Sequence, residues 1–384
     1  MATLNSRTLL ALTASALALP GLSGQARADA PPTTSTASFR LSSYEEDDLD
    51  NRARIAGSAE RYDIDIHQLR LQTPVGENYS LTLNSSYESM SGASPWYTIV
   101  RGDGSAAVVM SGATISEERR DYSANGRRYL ANGTVGLTLA GSHENDYDSV
   151  SGSIDAERHF NNDLTTVAAG LGYSSDELEP TQKVGYIRIN NADKRSRSVF
   201  ISVSQIMNRD SVVQTGLSLS YLSGYLSDPY KLNDRRPDSR RQLAWTTAWR
   251  RFIPAADAAL QADYRFYHDD FGINSHTLDV AWYQNLGDTW QLVPGVRYYS
   301  QSAADFFNPA LSFSAQTFHS TDFRLANYGA WSGSLKVQME VEAFTFTASA
   351  ERYYADADYA WYSGLESPAL VDFTRLSLGI DYRF

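Results

Sequence analysis

Leu376, Leu378, Ile380, Tyr382 and Phe384 alternate with Arg375, Ser377, Gly379, Asp381 and Arg383, and the same two-residue period recurs along most of the chain. Successive side chains of a strand point to opposite faces, so each such segment has one apolar face and one polar or small face. Phe344, Phe346, Ala348 and Ala350 repeat the pattern against Thr345, Thr347, Ser349 and Glu351. So do Leu260, Ala262, Tyr264 and Phe266 against Gln261, Asp263, Arg265 and Tyr267. Beyond the first thirty residues no apolar run approaches the roughly 18 positions that a membrane helix needs. The hydrophobic 42% of the 384 residues is therefore spread thinly, one position in two.

Sixteen segments carry the pattern: 36–46, 60–73, 78–90, 115–130, 133–144, 148–160, 164–176, 196–207, 211–223, 240–252, 257–268, 274–286, 289–302, 323–339, 343–355 and 370–384. The second needs a bulge near His67 and Gln68, because Ile64 and Ile66 are out of phase with Leu69 and Leu71. Strands of soluble proteins average about five or six residues. A tilted strand that crosses a bilayer needs roughly 9–11. Short turns such as Ala131-Asn132-Gly133, Asn161-Asn162-Asp163 and Gly287-Asp288 alternate with long links at 47–59, 91–114, 177–195, 224–239, 303–322 and 356–369. The links at 145–147 and 269–273 are short exceptions. Short turns at one rim and long loops at the other predict an all-β, antiparallel, up-and-down transmembrane barrel of about 16 strands, with periplasmic turns and extracellular loops.

The N-terminus fits that destination. Arg7, the apolar run Leu9 to Leu19, Pro20-Gly21 and the small-x-small Ala26-Arg27-Ala28 form a secretory signal over 1–28, leaving 29–384 as one barrel domain. The absence of cysteine excludes disulfides, thiol catalysis and cysteine-ligated metals. A net charge of −12 argues against a nucleic-acid partner.

A secreted β-sandwich shares the alternation but not the aromatics at segment ends on the apolar face: Trp249, Trp290, Tyr298, Tyr382 and Phe384 suit an interfacial girdle. A last strand closing on Tyr382 and Phe384 is similar to the signal that barrel-assembly machinery reads. The opposite face predicts a lumen lined by Arg119, Asp121, Asp155, Glu157, Asp263, Arg265, Asp279, Arg297, Lys336, Glu351 and Arg375. Asp263, Arg265, Asp279 and Arg297 would sit close enough for a charge ladder bracing the wall. Sixteen strands leave room for water unless the interior is filled.

Two further clusters bear on chemistry. Glu144, Asp146 and Asp148, spaced by two in a loop tip, suit a hard cation such as calcium, although the calcium-loop signature is absent. A solvated acidic surface is the simpler account of them. His268, Asp269, Asp270 and His276 gather near an outer rim as a hydrolytic cluster would, without a nucleophile motif. The six histidines have no metal-ligand spacing, so no metal or other cofactor is expected.

Ser91-Gly92-Ala93-Ser94-Pro95, Ser111-Gly112-Ala113-Thr114, the strand that carries Arg119 and the tip Glu144-Asn145-Asp146-Tyr147-Asp148-Ser149 resemble a family of Gram-negative outer-membrane proteins of unknown function. The resemblance implies an outer-membrane barrel and carries no catalytic residues. The expected function is a pore or transporter for small polar solutes in outer-membrane lipid. A plugged barrel acting as surface receptor or as scaffold for a periplasmic protein partner is the alternative, and an outer-membrane hydrolase comes third.

Overall fold

The computed structural model describes residues 30–112, 115–182, 188–314 and 317–384. The leader expected over 1–28 lies outside the described residues, as do Ala113 and Thr114 of the second Ser-Gly-Ala motif.

Among the described residues nineteen strands form: β1 Thr36–Glu46, β2 Arg54–Ala56, β3 Asp63–Val75, β4 Tyr79–Gly92, β5 Pro95–Val100, β6 Ala106–Met110, β7 Ile115–Leu130, β8 Gly133–Glu144, β9 Tyr147–Phe160, β10 Thr165–Leu178, β11 Ala192–Asn208, β12 Ser211–Gly224, β13 Ser239–Ile253, β14 Ala258–Asp269, β15 Asn274–Leu286, β16 Trp290–Gln301, β17 Tyr328–Val341, β18 Phe344–Asp356 and β19 Phe373–Arg383. Sixteen of them close into one barrel, each antiparallel to its neighbours. The remaining three, β2, β5 and β6, make a separate small sheet from the two links at 47–59 and 91–114. The barrel closes where β1 pairs with β19, and two backbone hydrogen bonds of 2.9 Å between Ser35 and Phe384 finish the seam. Closure leaves no unpaired edge, which hydrocarbon would not tolerate.

The apolar residues face outward. Leu171, Leu378 and Val150 are 61%, 62% and 69% exposed on the bare barrel. Such a surface is stable only against lipid. Leu171 lies between Ile154 and Val199 on the neighbouring strands. Leu171→Arg is therefore expected to cost about 2–4 kcal/mol near the bilayer midplane, measured by urea unfolding in phospholipid vesicles. An unchanged unfolding midpoint would mean that this face does not meet hydrocarbon.

Two expectations are corrected. There is no bulge at His67 and Gln68, because β3 pairs with β1 and β4 in unbroken register. The phase changes because the outer end of β3 stands above the apolar belt. There Ile64 turns inward and is buried, while Asp63 and Asp65 face out into solvent. The second concerns the strand placed at 323–339, which begins only at Tyr328. Phe323–Leu325 instead form a 3-10 turn, capped by the Asp322 carboxylate accepting from the Arg324 backbone N–H at 3.1 Å. The other strand ends fall within four residues of their expected positions.

Candidate pore and its capped mouth

The links expected to be long loops converge and pack. Going round the ring, the β4–β7, β12–β13 and β16–β17 connections are separated by six, four and six strands. They nevertheless bond to one another. Leu232 N donates to Trp96 O at 3.1 Å, Leu311 N to Thr98 O at 3.1 Å, and Arg235 and His319 exchange two backbone bonds of 2.8 Å. Segments anchored that far apart can touch only by reaching across the opening, so the mouth carries a cap. The cap has its own core. Leu226, Phe271, Ile273, Phe307 and Leu325 form one cluster, and Leu49, Val108, Met110 and Ala369 another. Gln301, on the inner face of β16, donates to Ala326 O at 2.7 Å and Arg324 O at 3.0 Å, seating the cap within the rim.

The cap also holds a balanced set of charges: the buried Asp228, Asp234, Asp322 and Lys231 with the half-buried Arg236 and Arg324. Asp322, fully buried, accepts from Arg236 at 2.8 Å and from Arg324 at 2.9 Å, with Lys231 at 3.8 Å. Arg324 reaches Asp228 at 2.9 Å, and Arg236 reaches Asp234 at 2.8 Å. Lys231 also donates to Pro95 O at 2.9 Å, tying in the third connection. Burial alone would raise the Asp322 carboxyl, but the charges of Arg324, Lys231 and Arg236 outweigh it and hold the group well below the usual carboxylate range. Such a cluster contributes little net stability over apolar packing, but it fixes one arrangement of the three loops.

Below the cap the lumen is uneven. Along β7 to β9 the inner face is closed by short ion pairs. Arg127 meets Asp155 at 2.6 Å, and Arg119 meets Asp121 at 2.9 Å, with Glu157 3.8 Å from Arg127. On the contiguous strands β17, β18, β19, β1 and β3 the inner face is wet: Arg40, Gln68, Arg70, Ser334 and Arg375 face inward yet are exposed. Arg375 is paired with Glu351 at 2.5 Å, and Lys336 lies 5.2 Å from the ring centre of Tyr283.

The predicted charge ladder is rearranged. Asp263, Arg265, Asp279 and Arg297 all face inward, and Asp279 sits opposite both Asp263 and Arg297 in register. The ion pair that forms is instead Arg250 with Asp263, at 2.8 Å for one arm of the fork. Arg265 lies 5.4 Å from the ring centre of Tyr267. Arg250 was not singled out from the sequence, although its alternation with Trp249 and Arg251 marks it as inward.

The hydrolytic cluster is not assembled. Asp269 is buried on the inner side, accepting from Arg240 at 2.8 Å, Tyr267 at 2.6 Å and the Phe271 and Ile273 backbones at 3.0 Å. His268 and His276 alternate with Asp269 and Ser275 and so lie on the outer face, bonded to Asn274 at 2.9 Å and Tyr362 at 2.8 Å. Asp270 accepts from the Arg241 backbone. The acidic tip also divides. Asp148 points outward to His143 at 2.5 Å, whereas Glu144 and Asp146 gather with Glu117 of β7.

A closed sixteen-stranded antiparallel barrel, greasy outside and charged within, has the architecture of an outer-membrane β-barrel protein. The chain belongs to the family described as "Protein of unknown function (DUF3570)", whose model matches residues 9–367. No curated protein matches it. Among solved structures it is similar to a bacterial polysaccharide outer membrane secretin, with 9% identity, TM-score 0.50, and 91% of this chain and 98% of that one covered. It is also similar to CdiB from Acinetobacter baumannii, with 9% identity, TM-score 0.50, and 91% and 60% covered. The siderophore receptor PirA from Pseudomonas aeruginosa matches at 10% identity and TM-score 0.44 over 85% of this chain. The chain spans 56% of that receptor's length. At these identities the likeness is one of fold.

Proposed function

We propose that the protein resides in the outer membrane and passes small polar solutes, anions above all, through a lumen whose outer mouth the folded loops close. The observation that carries this reading is the wet inner face along β17 to β3. Arg40, Gln68, Arg70 and Arg375 are exposed although they face the inside of a closed barrel. On these strands Arg375 is matched by Glu351, Arg383 by Glu340 at 3.7 Å, and Glu46 by Arg61 at 2.8 Å. Arg40, Arg70 and Lys336 then outnumber Asp381, so the local potential favours anions although the whole chain is acidic. The inward Asp121, Asp279 and Arg297 belong to the wall of the same conduit. Tyr382 and Phe384, stacked on the outer face with centroids 5.4 Å apart, are where an assembly machine would grip the last strand.

The packed cap supports a second reading, in which the barrel is permanently plugged and serves as a surface receptor or a scaffold for a protein partner. Recordings in planar bilayers under a potassium chloride gradient separate the two. Current with a reversal potential on the anion side is expected. The triple change Arg40→Gln, Arg70→Gln and Lys336→Gln should move it toward cation preference. A folded barrel that never conducts, with or without its cap, favours the plugged reading.

A further inference from the structure

Among the described residues, Glu117 is a buried carboxylate that the fold leaves unexplained. It lies on the inner face at the outer end of β7, is 4% exposed, and neither of its carboxylate oxygens receives a hydrogen bond. The side chain points at two more carboxylates. Glu144 ends β8, and Asp146 lies in the tight link to β9. One oxygen from each of the three lies within 4.8 Å of the others. Carboxylates driven together out of water repel, and a buried anion without a donor is costly.

We infer that Glu117, Glu144 and Asp146 hold a divalent cation, calcium or magnesium. The spacing fits, since oxygens that share one calcium at about 2.3–2.6 Å lie at most about 5 Å apart. The donors are all hard oxygens, the set that suits calcium and magnesium. Asp148, which the sequence grouped with this tip, is not a ligand, because its side chain leaves on the outer face toward His143. Arg119 lies 3.7 Å from Glu144 and is shared with Asp121 at 2.9 Å and Glu88 at 4.0 Å.

The ion's second consequence concerns the cap. Asp146 also accepts the hydroxyl of Tyr230, a buried residue of the β12–β13 connection. The same hydroxyl accepts from Thr181 N at 3.0 Å. An ion on Asp146 fixes the carboxylate to which Tyr230 is tied, and so fastens the cap to the β8–β9 hairpin. This holds whether or not the lumen conducts, so the site and the pore are tested separately.

The test uses the full barrel refolded in detergent, with terbium(III) as the probe and tyrosine as the excited antenna. Tyr230, bonded to the ligand Asp146, is close enough to sensitise the ion. Saturable emission that calcium displaces is expected, together with slower trypsin cleavage of the cap when calcium is present. Glu117→Gln should weaken both by about tenfold or more, since affinity follows the number of charged ligands. Asp148→Asn should leave both unchanged. Asp146→Asn gives a second route if Glu117→Gln does not fold. Absence of any cation effect on the wild-type protein would overturn the site. Glu117→Gln that protects the cap without cation as well as calcium protects the wild type would also overturn it, and would mark a protonated carboxyl pair.

Discussion

Replacing residues 227–236 with a short Gly-Ser linker is expected to raise the conductance severalfold. This segment carries Asp228, Tyr230, Lys231, Asp234 and Arg236, so the linker removes four of the six charges of that set at once. The remaining two, Asp322 and Arg324, already bond to each other at 2.9 Å and stay balanced. The variant therefore does not strand a charge, and every rung of the barrel ladder is untouched. What is lost is the span of the β12–β13 connection over the opening, tied to the other two through Leu232 with Trp96 and Arg235 with His319, while Leu311 stays bonded to Thr98. Heat-modifiable migration in detergent confirms that the barrel is intact. A folded variant no more conductive than the wild type would show that the obstruction lies deeper than the cap.

The second large effect comes from one atom exchange. Asp322→Asn leaves Arg236, Arg324 and Lys231 facing only Asp228 and Asp234 in a dry site. Removing one partner of a buried ionic set typically costs about 3–5 kcal/mol, because the remaining charge stays uncompensated. The cap, not the ladder, bears that cost, so limited proteolysis within 225–238 and 302–327 should accelerate while global unfolding changes little. Lys231→Met in the same chain restores the charge balance and should return part of the protection. The pH dependence has a definite sign. Asp322 titrates below its unfolded value, so its contribution is complete above about pH 4 and is lost as pH falls through the folded value. Cap protection in the wild type should therefore hold down to mild acidity and fail only below it.

The barrel was legible because a lipid-facing strand is specified locally. Each needs one greasy face, and alternation such as Leu376 to Phe384 states that without any reference to the rest of the chain. The inward set followed from the same parity, which is why Arg119, Asp263, Lys336 and Glu351 all lie inside. What failed was whatever depends on height or on distant partners. Ile64 and Ile66 looked like a slipped register because the sequence does not mark where the bilayer ends. Asp148 was grouped with Glu144 and Asp146 by spacing, but a strand start sends it to the opposite face. Glu117, 27 positions before Glu144, joins them only through the β7–β8 pairing. The cap left one overlooked trace: Leu226, Tyr230, Phe307 and Leu325 are too apolar for links that stay in water.

The spacing of those three connections around the rim also sets an order of events. β1 and β19, at opposite ends of the chain, meet only when the ring is complete. Until they do, the anchors of the connections can drift apart like the staves of an unhooped cask, and Asp322 has no fixed neighbours to join. The ionic lock is therefore expected to form only after the ring has closed. A protease-resistant cap would then report that the cylinder beneath it has closed.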